Sequence, residues 1–320
     1  MGGAVRRRAG GDGEGAGAPA AVAGAGRTVE TCGNSHPATF AQAVHQPDTH
    51  RHLTRHSIGS CHPYTGHMAV LMTAAAPTGT SGYTLLIADR AAQIEAAQRL
   101  RHDVFAGELG ATLTTAADGR DVDALDEFCD HLIVRDDATG AVVGTYRMLP
   151  PRAAGRAGRR YADGEFDLSA LRPLRDQLVE IGRSCVHPDH RTGAVMNLMW
   201  TGIARYLHLN DLRWLGGCAS VPLADGGGLA AGVRERINAG HLAPPALRIR
   251  PRTPWTPPAD LVADPKVTVP PLLKGYLRLG SWVCGEPAYD PDFDCADFYV
   301  LFSLDRLDPR YRRHFLGGDR

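Results

Sequence analysis

The chain has 320 residues, 43% of them hydrophobic, and its 35 basic side chains are matched by 35 acidic ones. That length buries a substantial core in one large or two modest domains, and the charge balance excludes a general nucleic-acid binder, whose footprint is a marked basic excess. No apolar run is long enough to cross a bilayer, no apolar stretch follows the basic Arg6-Arg7-Arg8 as a secretory signal would require, and the seven irregularly spaced cysteines fit reduced thiols in a cytoplasmic protein.

Residues 1–82 open with Gly/Ala repeats and pass through Pro, Ser, Thr and His without a sustained apolar period. Such a segment buries too little apolar surface to offset its ordering entropy, and it reads as a disordered extension. Met68 and Met72 stand near its end as alternative starts. Seven of the fourteen histidines fall here (His36, His45, His50, His52, His56, His62, His67), at spacings that repeat no ligand pattern, so no metal centre is expected.

From Tyr83 the pattern changes. Residues 83–88 form a β-rich run ending at Asp89, an expected helix N-cap, and Ile94, Ala97, Leu100, Val104 and Phe105 then recur at helical spacing. Residues 131–134 and 141–149 are two strands joined by a turn at 136–140. A Pro/Arg/Gly-rich stretch, 150–160, is expected as loop. Residues 178–186 make the next strand, 194–209 an amphipathic helix after Gly193, and 214–221 another strand. Dense proline between 244 and 271 predicts extended loop. A short helix at 272–279, strands at 281–284 and 298–304, and a final helix at 307–315 complete one mixed α/β domain over 83–320.

Four local signatures follow in order: Arg101-x-x-x-Phe105; Asp126 with Asp130; Gly144-Thr145-Tyr146-Arg147-Met148-Leu149-Pro150; and Glu180-Ile181-Gly182-Arg183-Ser184-Cys185-Val186, followed by His187-Pro188-Asp189-His190-Arg191. On a regular strand Glu180 and Arg183, three apart, point to opposite faces. A β-bulge near Gly182 brings them to one face and kinks the strand. Without it they read as an exposed ion pair of little energetic consequence. Asp126 and Asp130 read locally as caps, Phe105 as packing, Cys185 as a core thiol, and His187 as a loop histidine. Gly193 reads as an ordinary helix start.

The ordered set resembles the GNAT branch that holds the ornithine-lipid N-acyltransferases and, more distantly, the acyl-homoserine lactone synthases. The late segment 270–280, with Asp290 and Asp297 beyond it, resembles the ornithine-lipid group in particular. The resemblance spans about residues 83–316. It implies a GNAT-like N-acyltransferase fold: a twisted mixed sheet flanked by helices, whose bulged strand splays from its neighbour to admit a pantetheine arm. It implies that Glu180 and Arg183 are catalytic, Glu180 as acceptor of the ammonium proton. Arg101, Phe105, Asp126, Asp130 and Arg147 would bind the amino-acid substrate, the aspartates holding its amino groups. Cys185, Val186, His187, Arg191 and Gly193 would contact the acyl donor, with His187 a second-choice base.

The donor expected from the resemblance is the phosphopantetheine thioester of an acyl carrier protein. Arg191-Thr192-Gly193-Ala194 is a degenerate form of the pyrophosphate cradle an acyl-CoA enzyme carries, so CoA fits less well. Arg147, Arg152, Arg156, Arg159 and Arg160 form the expected docking surface for an acidic carrier protein. No cofactor beyond the donor thioester is implied, and no tyrosine on the helix after residue 227 offers an acid for the leaving thiolate. The expected reaction is transfer of a 3-hydroxy fatty acyl group to the α-amine of ornithine, with peripheral membrane contact through residues 307–316. The alternatives are an acyl-homoserine lactone synthase, whose tryptophan after the Arg-x-x-x-Phe element has no counterpart before Trp200, and a non-catalytic carrier-protein or lipid-binding module.

Overall fold

The computed structural model describes residues 70–74, 82–113, 116–264 and 266–316; the rest of the expected N-terminal extension lies outside these described residues. The strands of the main sheet are β1 (Val70–Ala74), β2 (Tyr83–Ile87), β3 (Asp130–Asp136), β4 (Val142–Leu149), β5 (Leu178–Val186), β6 (Trp214–Pro222), β7 (Trp282–Val283), β8 (Ala288–Asp290) and β9 (Cys295–Ser303). The helices are α1 (Ala91–His102), α2 (Pro151–Ala157), α3 (Gly193–Leu209), α4 (Gly228–Gly240), α5 (Pro271–Arg278) and α6 (Pro309–Leu316).

One nine-stranded sheet runs β1-β2-β3-β4-β5-β6-β9-β7, with β8 also paired to β9. Every pairing is antiparallel except β5 with β6, whose crossover is α3. Alternation along the strands sends one set of side chains toward α3 to α6 (Leu85, Leu132, Tyr146, Met148, Val179, Ile181, Leu215). The opposite face carries α1, α2 and the 160s loop. Gly202 lets α3 lie flat on the sheet, because a Cβ there would run into the Leu85 side chain.

Four local expectations change. Residues 70–74, assigned to the extension, form β1 against β2. The first helix is capped at Arg90, without a side-chain bond, rather than at Asp89, and it continues through a π-helical turn, Asp103–Glu108, that carries Phe105. The 150–160 stretch is not loop: Pro151 sits at the first helical turn, where a missing N–H costs nothing, Ala153 and Ala154 are buried, and Gly158 at φ 70 stops the helix. Its proline and glycine are end signals of α2 rather than breakers. The final helix turns Phe315 into the core, as does Leu307 just before it, so its exposed side is Arg310, Arg312 and Arg313 rather than an apolar face. Among the described residues no helix is long and apolar enough to cross a membrane.

Candidate active site at the β5 bulge

β5 pairs with β6 only from Leu178 to Glu180, opposite Trp214 to Gly216. Beyond that point its pairing with β4 also shifts: Arg147 faces Gly182 but Thr145 faces Cys185, so two steps on β4 match three on β5. The additional residue is a bulge in which Arg183 takes φ 49, a left-handed conformation that is costly for a residue with a Cβ. The bulge kinks β5 away from β6 and leaves a stretch of its edge without a strand neighbour. It also turns Arg183 to the face that carries Glu180.

Ion pairs hold that strained backbone. Arg183 Nε lies 3.1 Å from Asp121 Oδ2, and its NH2 lies 3.7 Å from Asp123 Oδ2. Arg101 Nε is 2.9 Å from Asp121 Oδ2, and its guanidinium also meets both Asp126 oxygens, at 3.1 and 2.6 Å. Arg147 NH1 reaches Asp123 at 2.8 Å and Asp126 at 3.1 Å. Three guanidinium groups thus alternate with three carboxylates, all buried except the part-buried Arg183, so each charge is compensated where little water reaches. Burial works to raise the Asp126 pKa, but the bonds and charge of Arg101, with Arg147, hold it well below the usual carboxylate range.

This placement bears on the expected substrate contacts. Arg101, Asp126 and Arg147 come together, but as an internal lattice; Gln98 Nε2 adds a bond of 3.0 Å to Asp126, leaving its carboxylate engaged from four sides. Asp130 lies apart, on the α3 face of the sheet, where it accepts the Tyr206 hydroxyl. Arg147 is buried and belongs to no docking surface, whereas Arg152, Arg156 and Arg159 are exposed on and beside α2. Phe105 packs with Leu100, Val104 and Cys185, whose thiol burial pushes up to about 12.

Glu180 is buried, and its two carboxylate oxygens accept the backbone N–H groups of Tyr161 (2.7 Å) and Ala162 (3.1 Å). Burial raises its pKa, against the lowering effect of those two bonds. No contact joins it to Arg183; the two meet instead through Tyr161, whose ring lies 5.1 Å below the Arg183 guanidinium and 5.9 Å from that of Arg147. A small cavity, of about 10 Å³, lies between Glu180, Gly182, Tyr161 and Arg147.

Beside Tyr161 stands a set of carboxylates that local sequence did not single out as a group. Acceptor atoms of Glu165, Cys218 and Asp297 lie within 4.8 Å of one another, as do those of Asp290, Cys295 and Asp297. Among the described residues no lysine or arginine is paired with Glu165, Asp290 or Asp297. Burial, with the charge of and a hydrogen bond to Asp297, raises Glu165 to about 9, and burial raises Asp297 as well. The pair therefore holds a proton at neutral pH that a bound cation would displace.

The expected donor contacts are partly occupied. The His187 N–H donates to Val143 O at 2.8 Å, in the sheet, and so is not free for a thioester. Arg191 forms a two-pronged pair with Glu108 (2.6 and 2.5 Å) and donates from Nε to Val186 O at 3.1 Å. Gly193 opens α3 behind the N-cap Thr192, whose hydroxyl accepts from Val195 N–H. Cys185 and Val186 flank the bulge on the free part of β5.

Residues 100–201 match the acetyltransferase (GNAT) domain family. The chain is 36% identical over 257 residues to the L-ornithine N(alpha)-acyltransferase of Rhodobacter capsulatus, covering 76% of this chain and 96% of that protein. It is 33% identical over 244 residues to the L-ornithine N(alpha)-acyltransferase of Brucella abortus, covering 72% and 87%. A solved CoA-dependent acyl-homoserine lactone synthase aligns with a TM-score of 0.43 at 18% identity, over 70% of this chain and 82% of that one.

Proposed function

This chain belongs to the L-ornithine N(alpha)-acyltransferase family, a GNAT-fold acyltransferase family, and on that premise we propose that it moves a 3-hydroxy fatty acyl group from acyl carrier protein to the α-amine of ornithine. The observation that carries the reading is the parting of β5 from β6 after Glu180. A strand edge without a partner offers backbone donors and acceptors to an extended arm carrying two amides, and phosphopantetheine is such an arm.

The amine arrives from the α1 face. Ornithine carries two ammonium groups and one carboxylate, and the uncompensated Glu165, Asp290 and Asp297 suit a cation of that kind. That set takes the role expected of Asp126 and Asp130. An α-ammonium is no nucleophile until it loses a proton; Glu180, with its pKa raised by burial, is the acceptor in this reading, and its two backbone bonds fix the carboxylate in place. Backbone N–H groups at the bulge face the tetrahedral oxyanion. Arg183 acts by sustaining the bulge and orienting Tyr161.

The carrier-protein donor is supported by Arg152, Arg156 and Arg159, exposed on and beside α2, and by Arg191, which is already paired with Glu108 and so adds nothing to a pyrophosphate cradle. The test is transfer of a labelled 3-hydroxyacyl group from carrier protein and from CoA to a panel of amino acids. Ornithine and carrier protein should be preferred; indifference to both would overturn the reading.

A further inference from the structure

Ornithine brings a carboxylate as well as two ammonium groups into this cleft. Beside Glu180, Glu165, Asp290 and Asp297 that carboxylate is repelled unless a cation receives it. The cation must also keep some surface open. Arg101 and Arg147 do not: their side chains are 0 and 4% exposed, and each is spent on two carboxylates. Arg160, past the end of α2, donates instead to the Arg175 carbonyl at 3.2 Å.

Arg183 differs on each count. Its side chain is 10% exposed, and Gly182, Arg183 and Ser184 are the half-buried residues of an otherwise buried β5. They lie on the part of the strand that has lost β6 as a neighbour. Its hold on the lattice is also the loosest of the three guanidinium groups, at 3.1 Å to Asp121 and 3.7 Å to Asp123. Two rings lie against it, that of Tyr161 at 5.1 Å and that of Phe293 at 5.4 Å. Rings shield the plane of a guanidinium from water and leave it the edge, a fork of N–H groups that matches a carboxylate.

The same two rings connect Arg183 to the groups that suit the ammonium ions. The Tyr161 and Ala162 N–H groups hold Glu180. On the other side, Asp290 Oδ1 accepts the N–H groups of Asp292 (2.9 Å) and Phe293 (3.3 Å), so the turn that presents the Phe293 ring is built on Asp290. Phe293 is itself fixed. Its ring meets Phe105 of the π-helical turn edge-on, 5.7 Å between centroids, and the Thr112 N–H donates to Asp292 O at 2.9 Å. One ring thus leads to the base and the other to the carboxylates.

We propose that Arg183 receives the α-carboxylate of the acceptor, at the guanidinium edge framed by Tyr161 and Phe293. The α-ammonium, on the same carbon, then comes to Glu180, and the side-chain ammonium extends toward Asp290, Asp297 and Glu165. Each charge of the acceptor meets a complementary group, in an order that an α-amino acid with a second amine satisfies. Arg183 is then a binding residue as well as the support of the bulge, and no bond is made or broken at it. The inference rests on the acyl-transfer reading and names the group that orients its acceptor.

The test compares ornithine with ornithinamide, whose carboxamide carries no charge, as acceptors for the full chain at saturating acyl carrier protein thioester. The acceptor KM should be on the order of 10²-fold higher for ornithinamide. Arg183→Lys keeps the charge but loses the fork, and should raise the KM for ornithine about tenfold while moving that for ornithinamide by less than about threefold. A role confined to the bulge raises both alike, and that outcome overturns the inference. Should Arg183→Lys fail to fold, Phe293→Leu leaves the Asp121 and Asp123 pairs in place and should still narrow the ratio of the two KM values several-fold. Equal KM values for the two acceptors on the unaltered protein overturn the inference without any variant and leave the acyl-transfer reading intact. If the unaltered protein acylates ornithine from neither carrier protein nor CoA, that reading fails and takes the inference with it.

Discussion

Arg183 at φ 49 is pinned to Asp121 by an Nε–Oδ2 contact of 3.1 Å, so the strained residue of the bulge is also one that an aspartate from another segment holds. Asp121 serves Arg101 in the same way, at 2.9 Å, and neither carboxylate nor guanidinium reaches appreciable solvent. The left-handed conformation persists because the ion pair offsets its cost.

Removing that aspartate should therefore undo more than one contact. Asp121→Ala removes the buried carboxylate that Arg101 and Arg183 share, leaving Arg101 with Asp126 and Arg183 with Asp123 alone, and breaking a buried pair typically costs about 3–5 kcal/mol. Urea unfolding should show a loss of that size, and the donor KM should rise in the folded fraction as the bulge relaxes. A loss within about 0.5 kcal/mol, the range of ordinary surface substitutions, would mean that the bulge stands without the pair.

Glu180→Gln separates base from strut. Acid–base contributions run on the order of 10² to 10⁴-fold, so kcat per folded molecule should fall within that span and recover in part as pH rises and free amine accumulates. Some loss of stability is expected too, because the amide has one acceptor oxygen where the carboxylate offers two to Tyr161 and Ala162. A near-native kcat in the folded fraction would leave Glu180 as a tether of the 160s loop and pass the proton to another group.

Arg152→Glu with Arg156→Glu should raise the KM for acyl carrier protein several-fold and flatten its salt dependence, while leaving transfer from N-acetylcysteamine thioesters unchanged, because exposed rim charges act on encounter. Arg147→Ala should behave otherwise. Its guanidinium is buried between Asp123 and Asp126, and its loss should appear as lowered stability rather than as a donor effect.

The Glu165–Asp297 pair sets a pH dependence whose sign is definite. With Glu165 raised from 4.5 to about 9, the folded chain holds a proton that the unfolded chain has released. The stabilisation is complete below about pH 4.5 and is lost as pH climbs toward 9. The free protein should thus melt at lower temperature at pH 9 than at pH 7, and Glu165→Gln should flatten that slope. Ornithine binding should release protons near pH 7.5, measurable by calorimetry in buffers of different ionisation enthalpy. Proton uptake there, or none, would contradict a cation at these carboxylates.

Much of this molecule was legible in local order. Strands β2 to β6 and helix α3 follow from apolar alternation and period, because each buries one face against a neighbour wherever that neighbour lies. The β5 bulge was expected from the ordered motifs and the family they resemble, whereas Glu180 and Arg183 standing three apart read locally as an exposed ion pair. α2 was not legible, since its proline and glycine stand at positions where a helix tolerates them, and composition does not mark position.

The roles of the charged residues were decided by tertiary structure. The resemblance makes Asp126 a ligand for an amine, yet sheet order brings Arg101, Arg147 and Gln98 onto it and consumes its acceptors. Glu165 and Asp297 carry no signal of partnership across the residues between them, and Tyr276 meets Tyr146 only because α5 returns to the α3 face at the bulge. Spacing along the chain fixes which side chains share a face of one element. Which faces of distant elements close on each other depends on strand order and on where β5 kinks, and the proton affinity of a buried group depends on that closure.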